Sequence, residues 1–179
     1  MSFMIFARLL PGSPWNLREQ EEKHKKLGTY AACKYDDQTC EILKAWMTLW
    51  SIPKPIDSKD FHTTIIYSRQ AIVQEHQRNM NDYELKILAW RWPPVSIGIL
   101  KSSPKSLKRC LVLKLEAPEL VNLHDALCRA GATHDFPTYE PHVTLSYDVP
   151  DDFDWKKIVL PPVYFIPSKI YFEPLDLSK

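Results

Sequence analysis

Between residues 28 and 68 the spacing of apolar residues changes twice, which predicts a strand, a helix and a second strand. The stretch GTYAACKY alternates apolar and polar positions, as a strand does. Asp36 or Asp37 can then cap a helix. Its apolar residues recur at helical spacing: Ile42, Leu43, Trp46, Met47 and Trp50. Pro53-Lys54-Pro55 ends the helix, and the β-branched run FHTTIIYS predicts the next strand.

The same order recurs between residues 108 and 148. KRCLVLKLE alternates as a strand, Ala117-Pro118 opens a helix, and Gly131 ends it. This helix carries three leucines on one side: Leu120, Leu123 and Leu127. PHVTLSYD then predicts another strand. The second segment therefore repeats the strand, helix and strand of the first.

A shift of 80 positions (142 minus 62) superimposes the two segments without a gap. The shift aligns six pairs of identical or similar residues: Lys34 with Lys114, Leu43 with Leu123, Met47 with Leu127, His62 with His142, Thr64 with Thr144, and Tyr67 with Tyr147. A gapless register across strands and helix indicates an internal duplication. We expect an α+β protein with two lobes, built on residues 28–68 and 108–148, whose antiparallel sheets surround a central cleft.

Further segments complete the predicted domain. ELKILAWRW and VSIGILKSS predict two more strands joined at Pro93-Pro94, and IVLPPVYFIPSKIYFEPLDL predicts one or two closing strands. Residues 1–27 end in the charge-mixed REQEEKHKK and are interpreted as an N-terminal extension without a catalytic role. Residues 28–179 would then form a single bilobal domain.

Size and charge narrow the ligands that this chain can bind. A chain of 179 residues with 45% apolar residues is long enough for one compact unit. Its net charge of +1 gives no basic field that would hold a long nucleic acid. A small anionic ligand, held by local contacts, fits better.

The cysteines and the N-terminus indicate the compartment. The four cysteines have no Cys-x-x-Cys spacing and predict reduced, mostly buried thiols: Cys33, Cys40, Cys110 and Cys128. The apolar run MSFMIFARLL is interrupted by Arg8 and is too short for a signal sequence or a membrane span. We therefore expect a cytoplasmic protein that does not associate with a membrane.

The candidate chemistry lies in two tripeptides, His62-Thr63-Thr64 and His142-Val143-Thr144, which both read His-x-Thr. Residues i and i+2 of a strand share a face, so each histidine lies beside its threonine. Cleavage of a phosphodiester needs a base, an acid and donors for the charged oxygens. One neutral and one protonated imidazole supply the first two near neutral pH and predict a bell-shaped pH profile. The candidate catalytic residues are His62, Thr64, His142 and Thr144.

Metal ligation is the competing interpretation of the two histidines. Neither His62 nor His142 has an Asp, Glu or further His at i+2 or i+4 that would complete a ligand shell. Phosphodiester cleavage by two histidines and two hydroxyls requires no divalent ion. The sequence therefore predicts neither a metal nor another cofactor.

These motifs resemble a known superfamily. Two His-x-Thr strands in a duplicated chain are similar to the 2H phosphoesterases, and the resemblance covers residues 28–173. GTYAACKYDD, IPKPIDSKDFHTTIIYSR, PHVTLSYD and YFEPL resemble the phage anti-CBASS phosphodiesterases. This resemblance implies the bilobal 2H phosphoesterase fold. It also implies an enzyme that linearises 3'3'-cyclic GMP-AMP and related cyclic di- and trinucleotides inside the infected bacterium, and so counters an anti-phage defence.

The resemblance also implies substrate contacts. Tyr30 matches a family tyrosine that lies against a nucleobase, and Glu173 in YFEPL matches a glutamate that contacts the ligand. A core tyrosine and a solvated carboxylate are the alternatives. Trp90 and Trp92 would share one face of a strand, where they could stack on bases or pack in the core.

Two other functions fit the same four catalytic candidates. One is an RNA-end 2',3'-cyclic or 2'-5' oligonucleotide phosphodiesterase. The other is a non-catalytic sponge that sequesters a cyclic nucleotide, although binding alone does not need two proton-transfer groups. The sequence does not decide which nucleotide is preferred, which histidine is the base, or the oligomeric state.

Overall fold

The protein is described by a computed structural model that covers residues 27–72, 89–101, 108–136 and 138–177. Within these ranges it forms strands and helices in the following order: β1 (Leu27–Tyr35), α1 (Asp37–Leu49), β2 (His62–Ser68), β3 (Pro94–Lys101), β4 (Arg109–Leu115), α2 (Pro118–Arg129), β5 (His142–Ser146) and β6 (Pro167–Asp176). Short 3-10 turns at Ser58–Asp60 and Trp155–Lys157 precede β2 and β6.

The strands form two three-stranded antiparallel sheets. The first sheet has the order β2-β1-β6, and the second has the order β3-β4-β5. The first sheet includes both strands of the unit β1-α1-β2, and the second includes both strands of the unit β4-α2-β5. In each sheet the His-x-Thr strand lies at one edge. The predicted α+β architecture with duplicated antiparallel lobes is confirmed.

The helices begin and end where the sequence predicts. The Asp36 carboxylate accepts a hydrogen bond from the Thr39 N–H at 2.8 Å and caps α1. Pro118 opens α2, and Gly131 follows its last turn with a φ of 100°. The apolar side of each helix is buried, through Leu43, Trp46 and Met47 in α1 and Leu120, Leu123 and Leu127 in α2. No helix in the described residues is long and apolar enough to cross a membrane.

The duplication extends to an irregularity in the pairing of the strands. On β1, Ala31 pairs with Ile66 and Ala32 with Thr64, so Ile65 is an extra residue on β2. The second sheet has its irregularity between Leu111 and Val112, which leaves Leu145 as the extra residue on β5. These bulges lie 80 positions apart (145 minus 65), the same offset as the histidines. An extra residue reverses the alternation of side chains beyond it.

The two lobes meet at their His-x-Thr strands. The backbone N–H of Ile56, just before the first motif, donates to the carbonyl of Leu145 at 3.0 Å. The buried hydroxyl of Thr63 donates to the carbonyl of His142 at 2.9 Å. The hydrophobic core is continuous across both sheets. β2 and β5 therefore lie next to each other, which brings the two motifs to one place.

The segment before β3 differs from the prediction. The strand predicted for VSIGILKSS is confirmed over residues 95–101, the part of it that the structure describes. The strand predicted for ELKILAWRW is wrong over residues 89–92, and its earlier residues lie outside the described part of the chain. Trp92 instead makes an isolated bridge with Phe165, in which each N–H donates to the other's carbonyl. Pro93 and Pro94 follow and have no N–H to continue such pairing. The predicted extension, apart from Leu27, also lies outside the described residues.

The four cysteine thiols are free. Cys33 and Cys110 are buried, and Cys40 and Cys128 are half-buried. Burial raises the pKa of the Cys33 thiol far above its usual range. A thiol that does not ionise is a poor nucleophile, so Cys33 is a packing residue.

Candidate active site

His62 and His142 are held in the same way at the first positions of β2 and β5. The Nδ1 atom of His62 lies 2.6 Å from the carbonyl oxygen of Asp60, and that of His142 lies 2.7 Å from the carbonyl oxygen of Glu140. Because a carbonyl oxygen only accepts, Nδ1 carries the proton in both rings. The Nε2 atom is left for proton transfer, and each ring is fixed in one orientation.

In each motif the threonine lies on the same face of its strand as the histidine. Thr64 Oγ1 lies 3.3 Å from the hydroxyl of Tyr30, and Thr144 contacts the hydroxyl of Tyr147. Tyr139 donates its hydroxyl proton to the backbone carbonyl of Thr64 at 2.9 Å. Both threonines are half-buried, so their hydroxyls remain accessible to a small ligand.

A lysine faces each histidine from the neighbouring strand. Lys34 pairs with His62, and Lys114 pairs with His142. Lys34 Nζ donates to the carbonyl of Lys59 at 3.3 Å, and Lys114 Nζ bonds the Glu140 carboxylate at 2.7 Å. Each lysine thus ties down the segment whose carbonyl holds the histidine. The sequence aligned Lys34 with Lys114 across the duplication but predicted no role for either lysine. That alignment is the signal that could have identified them.

The environment of His142 favours its neutral form. Burial lowers the pKa of His142, because the imidazolium loses solvation. The positive charges of Lys114 and His62 lower it further, while Glu140 opposes the shift. His62 is therefore close enough to His142 for their charges to interact, and His142 is neutral at pH 7.

Thr63, the middle residue of the first motif, was not recognised from the sequence as part of the site. Its hydroxyl donates to the His142 carbonyl and lies 2.5 Å from the Tyr35 hydroxyl, which can donate to it. Val143 occupies the equivalent position in β5, so the hydroxyl occurs in one lobe only. Thr63 couples one His-x-Thr strand directly to the other.

The structure brings Tyr30 and Glu173 to the same side of the first sheet. Tyr30 pairs with Glu173 on β6, and its ring lies 6.5 Å from that of His62 in an edge-on arrangement. Glu173 is exposed, and Tyr30 also contacts Tyr171 edge-on at 6.1 Å. Tyr30 therefore lies beside His62, and the predicted contacts of Tyr30 and Glu173 with a ligand remain predictions.

Trp92 is a core residue, which corrects its predicted role in substrate binding. It is 1% exposed, and its indole N–H donates to the Glu119 carboxylate at 2.8 Å. Its ring packs edge-on against Tyr35 at 6.4 Å. Trp90 is half-buried and lies 5.7 Å from Trp92, so the two indoles do share a face, but that face is packed. A stacking role for Trp90 alone remains a prediction.

Comparison with known proteins decides the family. The family model for the anti-CBASS protein Acb1 matches residues 27–179. The chain belongs to the Acb1 family. Similar Acb1 proteins include that of Acinetobacter phage Ac42, which is 36% identical over 122 residues, or 68% of this chain and 74% of the relative. The Acb1 protein of enterobacteria phage T4 is 31% identical over 158 residues, or 88% and 95%. The resemblance read from the motifs is confirmed.

Similar solved structures are more distant from this Acb1 family member. One is E. coli LigT complexed with ATP, with a TM-score of 0.48 and 15% identity, covering 83% of this chain and 94% of LigT. Another is described as a phosphoesterase, with a TM-score of 0.47 and 16% identity, covering 84% of this chain and 95% of the other.

Proposed function

We propose that this protein is a metal-independent phosphodiesterase that opens cyclic oligonucleotide messengers such as 3'3'-cyclic GMP-AMP inside the infected bacterium. The observation that carries the proposal is the matched pair of imidazoles. His62 and His142 are held as the same tautomer by backbone carbonyls, on two strands joined through Thr63. Membership of a family named for anti-CBASS proteins supports a cyclic oligonucleotide as the substrate.

In the proposed mechanism, His142 is the base because burial lowers its pKa and so favours the neutral form that accepts a proton. Its Nε2 takes the proton from the ribose 2'-hydroxyl next to the scissile phosphate. The 2'-oxygen bonds to phosphorus, the bond from phosphorus to the 5'-oxygen breaks, and protonated His62 gives a proton to that oxygen. Thr64 and Thr144 donate hydrogen bonds to the nonbridging oxygens. The product is a linear oligonucleotide with a 2',3'-cyclic phosphate end.

This assignment of the base predicts the acid side of the pH profile. A lowered pKa keeps His142 neutral to a lower pH than an ordinary histidine, so kcat/KM should begin to fall only below about pH 6.5. Lys114→Met removes a positive charge that lowers this pKa, and the acid limb should then move to higher pH. The profiles of kcat/KM against pH for the two proteins measure the shift.

Lys157→Met is the matched control for the pH shift. Lys157 is exposed, pairs with Asp154 at 2.8 Å and lies outside both motif strands. Its removal should leave the profile unchanged. An acid limb that is the same in Lys114→Met as in the wild type would contradict the assignment of His142 as the base.

The function is tested by offering three substrates in excess chelator and separating the products by chromatography. The substrates are 3'3'-cyclic GMP-AMP, linear RNA with a 2',3'-cyclic phosphate end, and 2'-5' oligoadenylate. The proposal predicts fast conversion of the cyclic dinucleotide to a linear product. Cleavage of the linear substrates alone would replace the proposal with an RNA-end or 2'-5' phosphodiesterase, and recovery of unaltered cyclic dinucleotide in complex with the protein would identify a sponge.

A further inference from the structure

The bulge in β2 turns Tyr67 toward the proposed site. Tyr67 is five positions after His62. In a regular strand it would therefore lie on the face opposite His62 and Thr64. Because Ile65 is the extra residue, Tyr67 pairs with Tyr30 and shares its face. Tyr30 reaches the Thr64 hydroxyl at 3.3 Å, which identifies this face as the one that carries the motif. The bulged Ile65 itself is buried, with 1% exposure.

The second lobe repeats this arrangement. Leu145 is the extra residue on β5 and is fully buried, and Ser146 pairs with Leu111. Tyr147 follows Ser146 and contacts the hydroxyl of Thr144, so it too lies on its motif's face. Tyr67 is 49% exposed and Tyr147 is 50% exposed. Two equivalent bulges thus present two equivalent, half-exposed aromatic rings.

Tyr147 lies beside the segment that precedes His62. Pro55 forms a bridge with Ser146, and Lys54 pairs with Asp148 at 2.5 Å. Burial raises the pKa of Tyr147, and the proximity of Tyr30 and Asp60 raises it further. Tyr147 therefore belongs to the second lobe, but its ring lies beside residues that surround His62 in the first lobe.

Tyr67 is followed by residues that contact the segment preceding His142. Next to Tyr67 in the chain, the Ser68 hydroxyl accepts a hydrogen bond from the Thr133 N–H at 2.9 Å. Arg69 pairs with Asp135 at 2.9 Å. Each tyrosine therefore lies next to contacts with a segment of the other lobe that precedes its histidine, as an approximate twofold symmetry requires.

We propose that Tyr67 and Tyr147 form two nucleobase-stacking subsites, one from each lobe, that bind the two bases of a cyclic dinucleotide. This inference rests on the proposed function and names the subsites of that same site. A cyclic dinucleotide has two bases on opposite sides of its ring, so two symmetry-related aromatic rings match it better than one. Because every base has a π-face, stacking on tyrosine discriminates weakly between bases.

The test compares Tyr67→Ala and Tyr147→Ala with the wild type, using 3'3'-cyclic GMP-AMP. Each substitution should raise KM about tenfold, within the range found when one base loses its aromatic platform, and Tyr67→Ala should change kcat less than about twofold. Tyr67→Phe and Tyr147→Phe keep the ring and should retain the wild-type KM. Tyr164→Ala is the matched control, since Tyr164 is 60% exposed and lies outside both sheets.

Binding of the intact dinucleotide separates this inference from the proposed function. Calorimetric titration into His142→Ala, with and without each tyrosine substitution, gives Kd without turnover and should show the same tenfold losses. If the wild type leaves the dinucleotide intact, the enzymatic function fails while these Kd values still test the subsites. If the wild type cleaves it and either alanine variant keeps the wild-type KM and Kd, the paired subsites are overturned. Tyr→Leu variants replace any alanine variant that does not fold.

Discussion

Replacing either His62 or His142 with alanine is expected to lower kcat for cleavage of 3'3'-cyclic GMP-AMP by about a thousandfold. Each imidazole supplies one of the two proton transfers, and loss of a positioned acid or base typically costs 10²- to 10⁴-fold. The carbonyls of Asp60 and Glu140 fix both rings for this task. Single-turnover kinetics with saturating protein measure the effect on the chemical step and leave product release out of it.

His134→Ala serves as the control for the two histidine substitutions. His134 is half-buried beside His124 and lies outside the two motif strands. Its removal should change kcat by no more than about twofold once the fraction of folded protein is taken into account. Retention of more than a tenth of wild-type kcat by either catalytic variant would remove that histidine from the mechanism.

Thr63→Val is expected to have the largest effect on stability among the site residues, at about 2–4 kcal/mol of unfolding free energy. Valine keeps the shape of threonine but removes the hydroxyl. The Tyr35 hydroxyl and the His142 carbonyl then each lose a buried partner, at about 1–3 kcal/mol each. Urea unfolding followed by circular dichroism measures the difference.

A matched control isolates the role of the Thr63 hydroxyl. Thr48 on α1 is exposed, and its hydroxyl donates only to the Lys44 carbonyl one turn earlier. Thr48→Val should change the unfolding free energy by less than about 0.5 kcal/mol. If Thr63→Val lowered the unfolding free energy as little as Thr48→Val, the Thr63 hydroxyl would not be what joins the two lobes.

Local patterns carry much of the information about the fold. The cap at Asp36, the opening at Pro118 and the end at Gly131 depend on residues within one turn of each helix, so the sequence predicts them. The two His-x-Thr strands follow from the apolar, β-branched runs in which they lie. The strand-helix-strand unit of each lobe and both motif strands were therefore predictable from neighbours along the chain.

Contacts between distant segments were not predictable in this way. The strand predicted to reach Trp92 is wrong because Trp92 pairs with Phe165 and is buried against Glu119, far from it in sequence. The role of Thr63 depends on which strand of the other lobe lies beside it. The face that Tyr67 occupies depends on one extra residue in the strand pairing, which alternation alone does not reveal.

The central claim is that one acid and one base from two duplicated strands form a single site. Cleavage of 3'3'-cyclic GMP-AMP in excess chelator by the wild type, His62→Ala, His142→Ala and the double variant tests it most directly. The account predicts that the wild type cleaves the dinucleotide. It also predicts that the double variant is little slower than either single variant, because the rate losses of residues that act as a unit do not multiply. A wild type that needs a divalent ion, or a double variant whose loss is the product of the two single losses, would contradict it.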